Sequence, residues 1–340
     1  MTTTPPPLPD RPLSICVVGP GAIGGTIAAR LAAASGTGDI GRVSVVARGA
    51  HLAAIRDKGL RLVTPTEDVT VEVEAVSDPD NLPPQDIVIT ALKGHQIPPM
   101  AAALGRLLAP EGRMLPVVNG LPWWYPLPDG QGGFRGAEAV DPGGALWREV
   151  GPERAIGSIA YMGASVPEPG VISVEIEGYL DLGRLPGEDR SDVVRVAEML
   201  RGAGWTVRET EPFQNSLFSK LFSNCAMNSV AAISQAAQKR IATDPVLSRM
   251  AAGIMEEVRA LGLVEGAEIR MTSEKRLYHA ANGPDHAPST LQDLRAGKPL
   301  EIEPIFGATV ALGAARGVPM PNLELATAML RAIEEARGFA

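Results

Sequence analysis

The hydrophobic pattern changes character along the chain, and the changes mark its organisation. From Leu13 an apolar run, LSICVVG, leads into the glycine-rich PGAIGG, then the alanine-rich TIAARLAAASG with helical spacing, then a second apolar run, RVSVVAR. Strand, turn, helix and strand in that order predict a βαβ unit, whose short crossover implies a parallel sheet. Further strand-like runs follow at GLRLVTP, VTVEVEAV, DIVITAL and RMLPVVN, with MAAALGRLLAPEG predicted as a helix between the last two. Between Leu121 and Val150 the periodicity gives way to Pro, Gly and Trp, a long insertion after the strand that ends at Asn119. Long loops after a parallel strand often border a ligand site. Alternation resumes in ERAIGSIAYMGASV, GVISVEI and GYLDLGRL, with punctuation typical of antiparallel strands. A helix, SDVVRVAEMLRGAG, and a short strand, WTVRE, complete this half.

After Glu211-Pro212 strand signals stop. Segments such as DPVLSRMAAGIMEEVRALG and EIEPIFGATVALGAARG carry helical periodicity rich in Ala, Leu, Met and Glu. The expected organisation is therefore a leader over residues 1–12, an α/β domain over 13–211 and an all-α domain over 212–340. The leader, MTTTPPPLPDRP, has neither a basic nor an apolar signal-peptide region and is expected to be disordered.

Composition narrows the function classes. With 340 residues and 45% hydrophobic content the chain can build two cores, and its net charge of -8 argues against a nucleic-acid groove or an anionic-membrane footprint. No window approaches a membrane span, and a cytoplasmic location is expected. The two cysteines, Cys16 and Cys225, have no disulfide or zinc spacing, and the four histidines no paired-ligand spacing, so no metal is expected.

The candidate chemistry begins at Gly19-Pro20-Gly21-Ala22-Ile23-Gly24, which fits GxGxxG directly after a predicted strand and at the start of a predicted helix. Glycines there permit a tight turn, close approach of the backbone to a pyrophosphate and tight helix–strand packing, with the helix N-terminus supplying N–H groups. This context makes the first domain a Rossmann-type nucleotide binder. At the end of the second strand, where NAD-binding chains usually place an acid, stand Ala47 and Arg48. An arginine pairs with a 2′-phosphate, which favours NADP(H); the other reading is a surface arginine at a strand end. Lys93, after another strand, would add positive charge beside the cofactor or simply be solvated. Asn119-Gly120 could bind substrate or the nicotinamide ribose, and is equally an ordinary turn signal.

In FSKLFSNCAMNS the polar residues Lys220, Asn224 and Asn228 recur every four positions, one slanting row on a helix face. The flanking residues are apolar or small, so the row is costly unless its amides are used. A positioned ammonium can stabilise and protonate the alkoxide that forms when a ketone accepts a hydride. Ser289 and Glu301 stand twelve residues apart around the turn-like RAGKP. They suit a substrate carboxylate and hydroxyl, or are a helix cap and a surface acid.

Taken in order, GPGAIG, VVARGAHLAAIRDKGLRL, ALKGHQ, VVNG, KLFSNCAMNSVAAI and STLQDLRAGKPLEIEPIFGATVALGAARGVPMP resemble the ketopantoate reductases (2-dehydropantoate 2-reductases) from Leu13 to about Leu330. The resemblance implies an NADPH-dependent reductase of a small 2-oxo acid, with substrate held in a cleft between the two domains, and a homodimer formed through the helical domain. It makes Lys220 the general acid, Asn224 and Asn228 substrate-orienting residues, Ser289 the carboxylate contact and Glu301 the hydroxyl contact. Asn119 would sit near the reacting centre. Gly19, Gly21, Ala22, Ile23, Gly24, Arg48 and Lys93 would hold NADP(H). Two departures bear on substrate identity: Phe218 replaces the family's common tryptophan, and the GLPWWYPLPDG insertion brings in Trp123, Trp124 and Tyr125. These aromatics either reshape the pocket mouth or pack on the domain surface. The competing functions are a D-2-hydroxyacid dehydrogenase of branched or aromatic 2-oxo acids, and a non-catalytic NADP-binding protein.

Overall fold

The computed structural model describes residues 5–339. In chain order the elements are β1 (Leu13–Val18), α1 (Ala22–Ala33), β2 (Ile40–Val46), α2 (Gly49–Lys58), β3 (Leu60–Val63), β4 (Asp68–Val71), β5 (Glu74–Val76), β6 (Gln85–Thr90), α3 (Ala101–Leu107) and β7 (Leu108–Pro116). The insertion holds a small hairpin, β8 (Leu127–Pro128) and β9 (Phe134–Arg135), then α4 (Ala145–Glu149). Next come β10 (Gly157–Glu168), β11 (Val171–Gly183), α5 (Ser191–Gly202) and β12 (Thr206–Glu209). The remainder is helical: α6 (Phe213–Ser234), α7 (Gln238–Thr243), α8 (Pro245–Val264), α9 (Ser273–Asn282), α10 (Ser289–Arg295), α11 (Ala308–Ala315) and α12 (Pro321–Ala336).

The chain forms two compact units, residues 1–118 with 145–213, and residues 119–144 with 214–340. In the first, a parallel sheet runs β5-β2-β1-β6-β7. The strand order reverses at β1, so the turn after β1 sits at a topological switch point, where such sheets bind ligands. Burial on both faces explains the continuous apolar runs: Ile15, Val17, Val45, Ile87 and Ile89 are fully enclosed. β3 and β4, read as part of the same alternation, instead join a second sheet, β10-β11-β3-β4, with β12 alongside β11. The predicted helix MAAALGRLLAPEG ends at Leu107, and β7 begins at Leu108 to pair with β6.

The leader divides. Residues 1–4 lie outside the described residues. Residues 5–12 form neither helix nor strand, yet the expectation of disorder does not describe them. Arg113 donates to Pro6 O, Arg195 to Pro9 O, and Arg11 forks onto buried Asp86 at 2.7 and 3.0 Å. The cause is a set of partners far along the chain, Arg113, Arg195 and Asp86.

The insertion groups with the helical unit, not with the nucleotide-binding domain in which the sequence reading included it, and the division falls at 213/214 instead of 211/212. Leu121 N–H donates to Pro304 O at 2.8 Å, and Tyr125 OH donates to Glu265 at 2.6 Å. Arg316 pairs with Glu265 and donates to Pro126 O. Trp123, Trp124 and Tyr125 are all buried, which selects packing over a pocket rim for these side chains. Phe218 is fully buried as well, with Tyr125 edge-on to it at 6.1 Å. The smaller ring at 218 thus meets an aromatic from the insertion, so this departure reports a repacked core. No helix among the described residues is long and apolar enough to cross a membrane.

Candidate active site

In the first unit the turn after β1 assigns a separate task to each glycine. Gly19 has φ +86°, and a Cβ there would press on Leu92, while a Cβ at Gly24 would lie 2.3 Å from Gly19 O. Both are needed for the chain's own packing. Gly21 differs: it precedes the first turn of α1, and a Cβ on it would meet nothing. Its lack of a side chain leaves room for something outside the chain, beside the α1 N–H groups that have no intrahelical acceptor. Ala22 and Ile23 form the start of that helix and are half-buried.

The rest of the predicted nucleotide set converges on this turn. Leu92 packs under Gly19, and Ala91 N–H donates to Val18 O at 2.9 Å, so Lys93 follows directly from a segment lying against the glycine turn. Arg48 caps α2 and is exposed, its guanidinium making no hydrogen bond or ion pair to a described residue. α2 is fastened to the same turn by His51, which no motif in the sequence marks. Its Nε2 lies 2.7 Å from Pro20 O and Nδ1 accepts from Gly170 N–H at 3.0 Å. Both ring nitrogens are thus engaged by backbone groups. Gly21, His51 and residues 166–169 line a groove of about 390 Å³.

In the second unit α6 carries the polar row. Phe218, Leu221, Phe222, Cys225, Ala226, Met227, Val230 and Ala231 are buried, leaving Lys220 and Asn224 half-buried and Asn228 at 4% exposure. Neither asparagine amide makes a hydrogen bond to a described residue. Both amides are therefore available to a polar ligand. Cys225 is no nucleophile: burial pushes its thiol up to about 12, and its Sγ lies 3.4 Å from Ile305 O.

The segments that carry Glu301 and Asn119 are joined by backbone contacts. Residues Glu303–Gly307 form a π-turn at the start of α11, with Pro304 in its first positions. The Pro304 carbonyl accepts from Leu121 N–H, and Gly120, at φ +93°, approaches so closely that a Cβ would stand 2.1 Å from Pro304 O. The next carbonyl, Ile305 O, faces Cys225 on α6. The Asn119 turn thus docks on the segment after Glu301, and that segment meets α6 at Cys225. Ser289 is less closely tied: it is the exposed first residue of α10, whose Arg295 reaches Gln235 O just beyond α6.

Comparison with known proteins matches this arrangement over nearly the full length. A family model described as "Ketopantoate reductase PanE/ApbA" matches residues 15–187, and its C-terminal counterpart matches 213–334. A 2-dehydropantoate 2-reductase of Mesorhizobium japonicum is 35% identical over 330 residues, covering 96% of this chain and 99% of its own. Among solved structures, a Ralstonia solanacearum protein proposed to be a ketopantoate reductase superposes with a TM-score of 0.86 at 30% identity, covering 96% and 99% of the two chains. D-mandelate dehydrogenase, solved with NADH and anilino(oxo)acetate, shares the fold at a TM-score of 0.76 and 20% identity, with 95% and 99% covered.

Proposed function

Because the chain belongs to the ketopantoate reductase family, we propose that it reduces 2-dehydropantoate (ketopantoate) to (R)-pantoate with NADPH, using Lys220 as general acid. It is an oxidoreductase that uses a nicotinamide cofactor, and the open space at Gly21 beside the α1 N-terminus fits the pyrophosphate of such a group. Bound there, the cofactor supplies the hydride. The choice of NADPH over NADH is supported by Arg48, an exposed guanidinium unpaired among the described residues, where an acid would suit a free 2′-hydroxyl. Lys93 adds charge on the same side.

One observation carries the chemistry: a lysine and two amides stand in a row on a helix that is otherwise packed in apolar side chains, and neither amide makes a hydrogen bond to a described residue. Lys220 donates to the substrate carbonyl oxygen, and as that oxygen becomes an alkoxide the ammonium proton passes to it; the amine regains a proton from water. Asn224 and Asn228 orient the substrate with amide hydrogen bonds. Glu301 accepts from the substrate hydroxyl, Ser289 donates to the carboxylate, and Asn119, held by the Gly120–Pro304 contact, completes the polar set. The burial of Trp123, Trp124 and Tyr125 accounts for the aromatic insertion without an aromatic substrate.

The test is NADPH oxidation against a panel of 2-oxo acids. Ketopantoate should give the highest kcat/KM; a branched or aromatic 2-oxo acid exceeding it by tenfold would transfer the assignment to a D-2-hydroxyacid dehydrogenase.

A further inference from the structure

Arg276 on α9 points its guanidinium at the face of α6 that bears Lys220. Ser223, three residues after Lys220 and one before Asn224, accepts from Arg276 Nε at 2.7 Å. Gln238 Oε1 accepts from Nη2 at 2.8 Å. The Gln238 amide is itself oriented: buried, its Nε2 lies 2.5 Å from His286 Nε2, and its backbone N–H donates to His286 O at 3.3 Å. Both groups that hold Arg276 are neutral, and no carboxylate among the described residues pairs with it. Elsewhere in this unit Arg316 and Arg331 face Glu265 and Glu303. Burial alone lowers the Arg276 pKa, with no opposing charge to raise it, and a guanidinium nevertheless stays protonated.

We propose that Arg276 is a specificity-determining residue that draws the carboxylate of the substrate onto the Lys220–Asn224 face, an inference that rests on the reading of the substrate as a 2-oxo acid. Of its five N–H donors two are used, by Ser223 and Gln238, which leaves the Nη1 pair and one Nη2 hydrogen for a carboxylate. A resident acid would have neutralised the site and repelled the ligand. Ser223 and Gln238 fix the fork's direction without cancelling its charge, which is the arrangement an incoming anion requires. The competing role is a structural staple joining α6, α7 and α9.

Arg276→Gln removes the charge and Arg276→Lys keeps it. For ketopantoate, Arg276→Gln should raise KM by roughly 10- to 100-fold, with Arg276→Lys intermediate, while KM for the corresponding 2-oxo carboxamide stays the same in all three proteins. Equal losses for acid and carboxamide would reduce Arg276 to a staple and overturn the proposal. Calorimetric binding of pantoate to the NADPH-loaded protein gives a readout independent of turnover. If the wild type reduces no 2-oxo acid the functional reading fails, yet pantoate binding weakened by Arg276→Gln still supports the carboxylate site, and binding that is absent or unchanged overturns it.

Discussion

Gly120 and Gly132 provide a controlled pair, because both have φ near +90° (+93° and +91°) but only one is crowded. Replacing either with alanine forces a Cβ into the left-handed region, at about 1–2 kcal/mol. At Gly132 nothing lies within 4 Å of the added atom, so that is the whole expected cost. At Gly120 the Cβ would stand 2.1 Å from Pro304 O and 2.3 Å from Pro304 C, both backbone atoms of the π-turn. The contact can be relieved only by lifting the turn, which also sacrifices the Leu121 N–H···O Pro304 hydrogen bond, a further ~1 kcal/mol. Gly120→Ala should therefore destabilise by about 3 kcal/mol, at least ~1 kcal/mol beyond Gly132→Ala. In urea denaturation followed by far-ultraviolet circular dichroism, a difference of that size separates the two midpoints by about 0.5 M. Gly120→Ala should also lower kcat/KM under conditions where it is folded, since Asn119 is adjacent. Equal midpoints for the two variants would refute the close docking of the Asn119 turn on Pro304.

Tyr125→Phe removes the hydroxyl that donates to Glu265 and should cost about 1–2 kcal/mol, read as a lower Tm, with the insertion becoming more susceptible to limited proteolysis. Arg48→Ala should weaken NADPH binding by roughly 10- to 100-fold and leave NADH binding nearly unchanged; parallel losses in titration calorimetry would remove the 2′-phosphate contact. For Asp86, burial alone would raise the pKa, but the Arg11 fork and the Ser14 N–H and hydroxyl bonds together outweigh it and hold the carboxyl below its ordinary value. A depressed folded pKa means this contribution is complete above the unfolded value, about 4, and is lost as pH falls through the folded one. Asp86→Asn should therefore flatten the acid limb of a stability–pH curve, and an unchanged limb would show the contribution to be absent.

Short-range physics made the centre of the fold legible. The glycine turn could be read because each glycine answers a local demand, and the polar row because helical spacing is a property of adjacent residues. Arg48 and Lys93 follow from their positions after parallel strands. What escaped depends on distant partners. β3 and β4 have the same alternation as the strands around them, and only pairing with β10 and β11 places them in the second sheet. The IEPIFG run looks helical, and its π-turn is settled by what the Pro304 carbonyl meets, a turn far earlier in the chain. The insertion's assignment rests on Tyr125–Glu265 and Arg316–Pro126, and the buried state of Phe218 on Tyr125. His51 and Arg276 carried no local signal, since an isolated histidine or a charged residue on an amphipathic helix is usually solvated.

The central claim is that Lys220 supplies the proton and the oxyanion contact in a reductase reaction, and its most direct test is the single-turnover rate of Lys220→Ala with ketopantoate and NADPH. The account predicts a hydride-transfer rate lower by about 100-fold or more, since an ammonium lost from a developing alkoxide is lost in the transition state, with NADPH affinity essentially unchanged. A Lys220→Ala enzyme that binds NADPH normally and transfers hydride at the wild-type rate would contradict it.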